Sequence, residues 1–172
     1  MTKRLNKSDL RQGFCYYLLA TLALALIFFS YIFRGASTDM MTPIGWIYFT
    51  ASCFTHAAIL LLIPFLLIQL PLAMLGLRQR WANGVLVVVY GLLFILAVAN
   101  SYVYAIYHFH INGLVLEMLT GPGASEIFVF SFWVYAKAIA LSLLFMGASG
   151  ALAWLSHKLT KRRQQRHYWR NR

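Results

Sequence analysis

The chain has 172 residues, 61% hydrophobic and only 11% charged, with a net charge of +11. That balance excludes a water-soluble globule, which would lack the polar surface to cover itself, so lipid must be part of the solvent. It also argues against a nucleic-acid binder, because the basic residues flank hydrophobic runs and line no polar groove or recognised nucleic-acid fold.

In chain order, residues 13–33 are the first predicted span. The basic start and Gly35-Ala36-Ser37 imitate a secretory signal. The apolar run is nevertheless longer than the ~7–15 residues of a signal core, so it reads as a retained helix. A polar loop with Asp39 and Pro43 leads to span 2, residues 46–75. That stretch exceeds the ~20 residues a crossing needs and must tilt, kink or reach into the interface. Pro64 and Pro71 each lack an amide hydrogen and collide with the carbonyl four residues back, which predicts a bend or break in its second half. The turn Gly76-Leu77-Arg78-Gln79-Arg80 is short enough to return span 3, residues 82–107, antiparallel to span 2. Tyr107 to Glu126 is too short in its apolar part to cross; as a helix it lies flat at the interface with Glu117 toward water, ended by Gly121-Pro122-Gly123. Span 4 covers residues 127–155 and a basic tail covers 156–172. The expected fold is all-α: a single transmembrane domain over residues 1–172, a bundle of about four spans with a short periplasmic interfacial helix.

Lys and Arg are retained on the cytoplasmic side of a membrane. Four precede span 1 (Lys3, Arg4, Lys7, Arg11), two lie between spans 2 and 3 (Arg78, Arg80) and seven follow span 4, while the opposite side has Arg34 alone. The expectation is a multi-pass protein of the bacterial inner membrane with both termini cytoplasmic. Aromatic placement agrees, with Tyr16, Tyr17, Trp81 and Trp154 at predicted inner ends and Tyr31, Trp46, Tyr102, Tyr104 and Tyr107 at outer ends. Cys15 and Cys53 fall near opposite ends of the first two spans, too far apart for a disulfide, and read as free thiols.

Few residues offer chemistry. Lys137 is the charged side chain inside a predicted span, a functional candidate by default; the plainer reading is that its stem snorkels to the outer headgroups beside Trp133. His108 and His110 would present both rings to one metal ion on a strand, with Glu117 or Asp39 as further ligands; beside Tyr104 and Tyr107 they read more simply as interfacial residues. Cys53 and His56 share a helix face, and the same discount applies. Gly147-Ala148-Ser149-Gly150-Ala151, with Gly84 and Gly91, lets helix backbones approach closely, within the bundle or against a partner's helix. Lys158, Lys161, Arg162, Arg163 and Arg166 form a juxtamembrane cluster that holds topology and attracts anionic phospholipid headgroups at about 1 kcal/mol per charge. No Gly-rich phosphate loop, no nucleophile with a base and no pair of intramembrane carboxylates stands in the sequence, so neither enzymatic activity nor a metal or cofactor is expected.

The segment Tyr107-His108-Phe109-His110-Ile111-Asn112-Gly113-Leu114-Val115, followed by Gly121-Pro122-Gly123-Ala124-Ser125-Glu126, resembles the amino-terminal membrane region of the YejM family (PbgA or LapC), inner-membrane sulfatase-like proteins of Gram-negative bacteria. The hydrophobic layout and the basic tail extend the likeness over nearly the whole chain, with His108, His110, Asn112 and Gly113 as its interfacial motif. The resemblance implies five spans followed by a large periplasmic domain of the alkaline-phosphatase type. This chain stops at the basic segment, as a truncated product or a natural short relative would. It also implies a role in regulating lipopolysaccharide synthesis, through lipid A sensing and contact with the membrane adaptor LapB, and binding of cardiolipin. The family's lipid A contacts lie beyond the fifth span and have no counterpart here.

The leading expectation is a non-catalytic membrane domain that binds lipid and a LapB-like membrane adaptor in envelope lipid homeostasis. The alternative is the membrane anchor of an alkaline-phosphatase-superfamily lipid headgroup phosphotransferase or hydrolase. A third reading, a small transporter, rests on Lys137 alone.

Overall fold

The computed structural model describes residues 7–35, 42–74, 79–122 and 131–170. The helices in chain order are α1 (Lys7–Phe29), α2 (Ile32–Gly35), α3 (Pro43–Pro64), a π-turn (Phe65–Gln69), α4 (Leu70–Met74), α5 (Gln79–Tyr107), α6 (Gly113–Thr120) and α7 (Phe132–Arg170). Among the described residues, four stretches are long and apolar enough to cross a membrane: Asp9–Phe29, Pro43–Leu72, Trp81–Tyr107 and Phe132–Arg162. The molecule is a multi-pass helical membrane protein. Lys3, Arg4, Asp39, Arg78, Glu126 and positions 127–130 of the expected fourth span lie outside the described residues.

Local chemistry sets the helix ends. The first helix stops at Phe29, short of the expected Phe33, where the Ser30 hydroxyl donates to the Ile27 carbonyl at 2.6 Å and diverts the backbone into a turn before α2. At the start of α3, the Thr42 hydroxyl accepts from the Gly45 amide at 3.1 Å, and Pro43 at the first helical position forfeits an amide that would have had no helical partner. Where the two prolines predict a bend or break, the structure has a change of helix type within one continuous span. After Pro64 the helix widens, and the Leu70 amide donates five residues back to the Phe65 carbonyl. A wider turn relieves the crowding that the Pro71 ring would impose on the Leu67 carbonyl in a regular helix.

The first helix is central, packed against α3 on one side and α5 and α7 on the other, whereas α3 and α5 hardly meet. Tyr16, Ala20, Leu24, Leu61, Leu86, Tyr90 and Phe94 make the core. Tyr16 and Tyr17 therefore do not belong to an interfacial belt: both are buried, with the Tyr16 ring 5.1 Å from that of Tyr90. Their hydroxyls find partners inside the bundle. Ser149 donates to the Val87 carbonyl at 2.9 Å and so receives the Tyr16 hydroxyl at 2.7 Å, joining α1, α7 and α5. Tyr17 donates to the Ala58 carbonyl and Tyr90 to the Leu61 carbonyl. Trp81 and Trp154 are exposed, as belt residues are.

Close approach through small residues holds at some positions and not at others. A Cβ on Gly91 would stand 2.6 Å from the Met146 sulfur, whereas Gly84 and Gly147 face open space. An unexpected one is Gly13, where a Cβ would meet the buried Gln69 side chain at 2.6 Å. The expected tail is also different. Residue 155 is no boundary, because α7 runs on through Arg170 and is still packed one turn further, with Ser156 and Thr160 buried. Ser156 and Thr160 donate to the Ala153 and Ser156 carbonyls, so small polar residues satisfied by their own helix continue the inner stripe.

Candidate functional site

The starts of α1 and α5 and the end of α7 define a basic end of the bundle; the loop after α5 defines a histidine end. At the histidine end the chain leaves α5 through His108, whose φ of 56° is in the left-handed region. Asn112 then starts α6, its side chain accepting from the Val115 amide at 3.2 Å. The helix expected at the interface is thus confined to Gly113–Thr120; Glu117 is exposed on it, as are Leu114, Leu116 and Met118, and there is open space around Gly113.

Asn100, which the sequence reading passed over, fixes this loop. Its Oδ1 accepts from the Ile111 amide at 2.6 Å, which identifies the other amide atom as Nδ2. Nδ2 donates to the Tyr31 hydroxyl at 2.8 Å and to His110 Nδ1 at 3.1 Å. Tyr31 in turn donates to the Ala97 carbonyl. Because an amide NH2 only donates, His110 holds a lone pair on Nδ1 and its proton on Nε2. The ring stacks on Tyr104 at 4.9 Å, while His108 meets Tyr104 edge-on. The two histidines of the motif thus flank one tyrosine and have different partners. Among the described residues no set of three His, Cys, Asp or Glu side chains is placed to share a metal ion.

Beneath this loop lies a cavity of about 370 Å³, within the ~300–1,000 Å³ usual for small-molecule sites. Its back wall is Phe28, Tyr31 and Ile32; α3 contributes Phe49, Ser52, Cys53 and His56; Asn100, Tyr104 and His110 close the other side. It is the cleft left where α3 and α5 diverge from their junction at Tyr90 and Leu61. His56 Nδ1 lies 2.8 Å from the Ser52 carbonyl, which can only accept, so Nδ1 carries the proton and Nε2 is the acceptor in the neutral ring. Cys53 and Cys15 are free thiols.

The other candidates lie elsewhere. Lys137 is exposed on α7, five residues from Phe132, and is not part of the cleft wall. At ~1.5 Å per residue that is about 8 Å from the helix start, within reach of a snorkelling stem. Lys158 folds over the exposed Trp154 ring with Nζ 4.8 Å from its centre, an arrangement suited to an interface. Lys161 and Arg162 are exposed on the next turn, and the helix continues through the Arg163 and Arg166 positions.

Fold and site together define a polytopic helical membrane domain with one basic end and a histidine-rimmed cleft near the other. More particularly, the chain belongs to the DUF3413 family: the family model, described as "Domain of unknown function (DUF3413)", matches residues 1–171. No curated protein matches it.

Proposed function

We propose that this chain is the non-catalytic membrane domain of a YejM-like protein of the bacterial inner membrane, with both termini cytoplasmic. It binds anionic phospholipid and a LapB-like membrane adaptor in the regulation of lipopolysaccharide and envelope lipid homeostasis. Support for the family comes from the segment Tyr107–Val115, and support for the orientation from the asymmetry of Lys and Arg.

The observation that carries the binding role is α7. Its basic-end part packs on α1 and α5 and then continues as a helix through Arg170, whose sequence carries Lys158, Lys161, Arg162, Arg163 and Arg166. From Phe132 to Ala140 its side chains are exposed, Ala136 alone being half-covered. The first of these regions suits lipid headgroups, the second a partner's spanning helix.

The test is recovery of crosslinked chain from Gram-negative membranes. Co-purification of the adaptor through residues of α7, together with enrichment of phosphatidylglycerol or cardiolipin, is the expected result. Recovery of neither overturns the reading.

A further inference from the structure

We propose that the cleft between α3 and α5 holds one uncharged, hydroxyl-bearing lipid, its hydroxyl donating to His56 Nε2 and its apolar body lying between Phe28 and Phe49. The site is separate from the cationic surface of α7, and the ligand differs in class from an anionic phospholipid.

Three observations lead there. First, among the described residues no Lys, Arg, Asp or Glu lines the cleft. A charged headgroup brought into it would lose hydration with no opposite charge in return, whereas an uncharged one is matched. Second, the polar groups are not interchangeable. Asn100 and Tyr31 are already committed to each other, to Ile111 and to Ala97, while the Ser52 carbonyl fixes His56 with its proton on Nδ1. The ring therefore presents an acceptor, and a ligand that meets it must bring a hydrogen-bond donor. Third, His56 is exposed and the helices on either side of the cleft diverge, so the site opens sideways to the bilayer and an acyl or isoprenoid tail can extend outward.

The shared chemistry, a hydroxyl on an apolar body, occurs in diacylglycerols and in quinols, and the experiment separates them. The full chain in phosphatidylcholine nanodiscs is irradiated with a diazirine-bearing diacylglycerol, or with phosphatidylglycerol bearing the same chains. Diacylglycerol adducts are expected at Phe49 and Cys53 in excess over lipid-facing Leu143 and Leu144 of α7. His56→Phe, which keeps the apolar volume and removes the acceptor, should lower cleft labelling about fivefold, as the loss of one hydrogen bond implies. Cys53→Trp, which fills the cleft, should lower it at least as far, with the helical signal of both variants unchanged. Displacement by unlabelled decylubiquinol extends the ligand class to quinols; no displacement restricts it to glycerol lipids. Equal labelling by phosphatidylglycerol, labelling no greater than on α7, or indifference to His56→Phe overturns the proposal. None of these outcomes depends on the adaptor or the basic end.

Discussion

Toward the basic end, side-chain hydroxyls tie helix to helix: Tyr16 to Ser149 and on to Val87, Tyr17 to Ala58, Tyr90 to Leu61. Toward the histidine end the same helices separate, α3 from α5 around the cleft, and α7 leaves most of its side chains bare. In hydrocarbon, apolar side chains gain nothing by leaving lipid for one another, so association rests on close packing and on hydrogen bonds between helices. Asn100 and Tyr31 still join α5 to the turn after α1 toward the histidine end, but α3 and α5 hardly meet beyond Tyr90 and Leu61, and it is there that the bundle can accept a ligand. The Tyr16–Ser149 packing and the cleft thus lie in different halves of the same four helices.

Substitutions can break that contrast. The largest effect is expected from Gly13→Leu, because even the first added carbon meets Gln69 at 2.6 Å. Overpacking of this kind costs about 1–3 kcal/mol or more, visible as a melting point lowered by several degrees in detergent; an unchanged midpoint would show that the basic end is looser than described. Next comes an asymmetry within one hydrogen-bonded chain. Ser149→Ala strands the buried Tyr16 hydroxyl and should cost about 1–3 kcal/mol, whereas Tyr16→Phe leaves Ser149 bonded to Val87 and should cost about 1 kcal/mol. Equal losses in the two melts would argue against that direction of donation.

Asn100→Ala sharpens the comparison from the other side. It removes the acceptor of the Ile111 amide and the donor to His110, so hydrogen exchange at Ile111 should accelerate by tenfold or more, taking ~1.4 kcal/mol per tenfold. The melting midpoint should move less than for Ser149→Ala. The smallest effect is expected at the bare surface of α7: Leu144→Ala should stay within about 0.5 kcal/mol of the parent. A larger loss in the purified chain would mean that this surface is already covered.

Much of the fold was legible from residue chemistry. The four crossings follow from runs of apolar side chains, which hydrocarbon selects whatever they pack against. The irregularity after Pro64 follows from covalent geometry. What escaped depends on neighbours distant in sequence. Tyr16 and Tyr17 looked interfacial because tyrosine favours that level, and only Ser149, 133 residues away, and Ala58 make an inward position affordable. Asn100 lies in no motif. Its signal was a lone amide deep in an apolar run, which in hydrocarbon needs a partner, and the Ile111 amide and His110 ring supply two. Cys53 and His56 shared a helix face in the sequence, but the cleft they line exists only because α3 and α5 diverge.

The π-turn at Phe65–Gln69 has a bearing on how this helix tolerates changes of length. Five residues there occupy an arc that an ordinary turn fills with about four, so the surplus residue is absorbed locally. Segments before and after it keep a common phase instead of being rotated by ~100°. Removing one residue from 65–68 should therefore preserve which side chains point inward, Gln69 among them, whereas the same deletion in the middle of α5 would turn everything beyond it away from its neighbours.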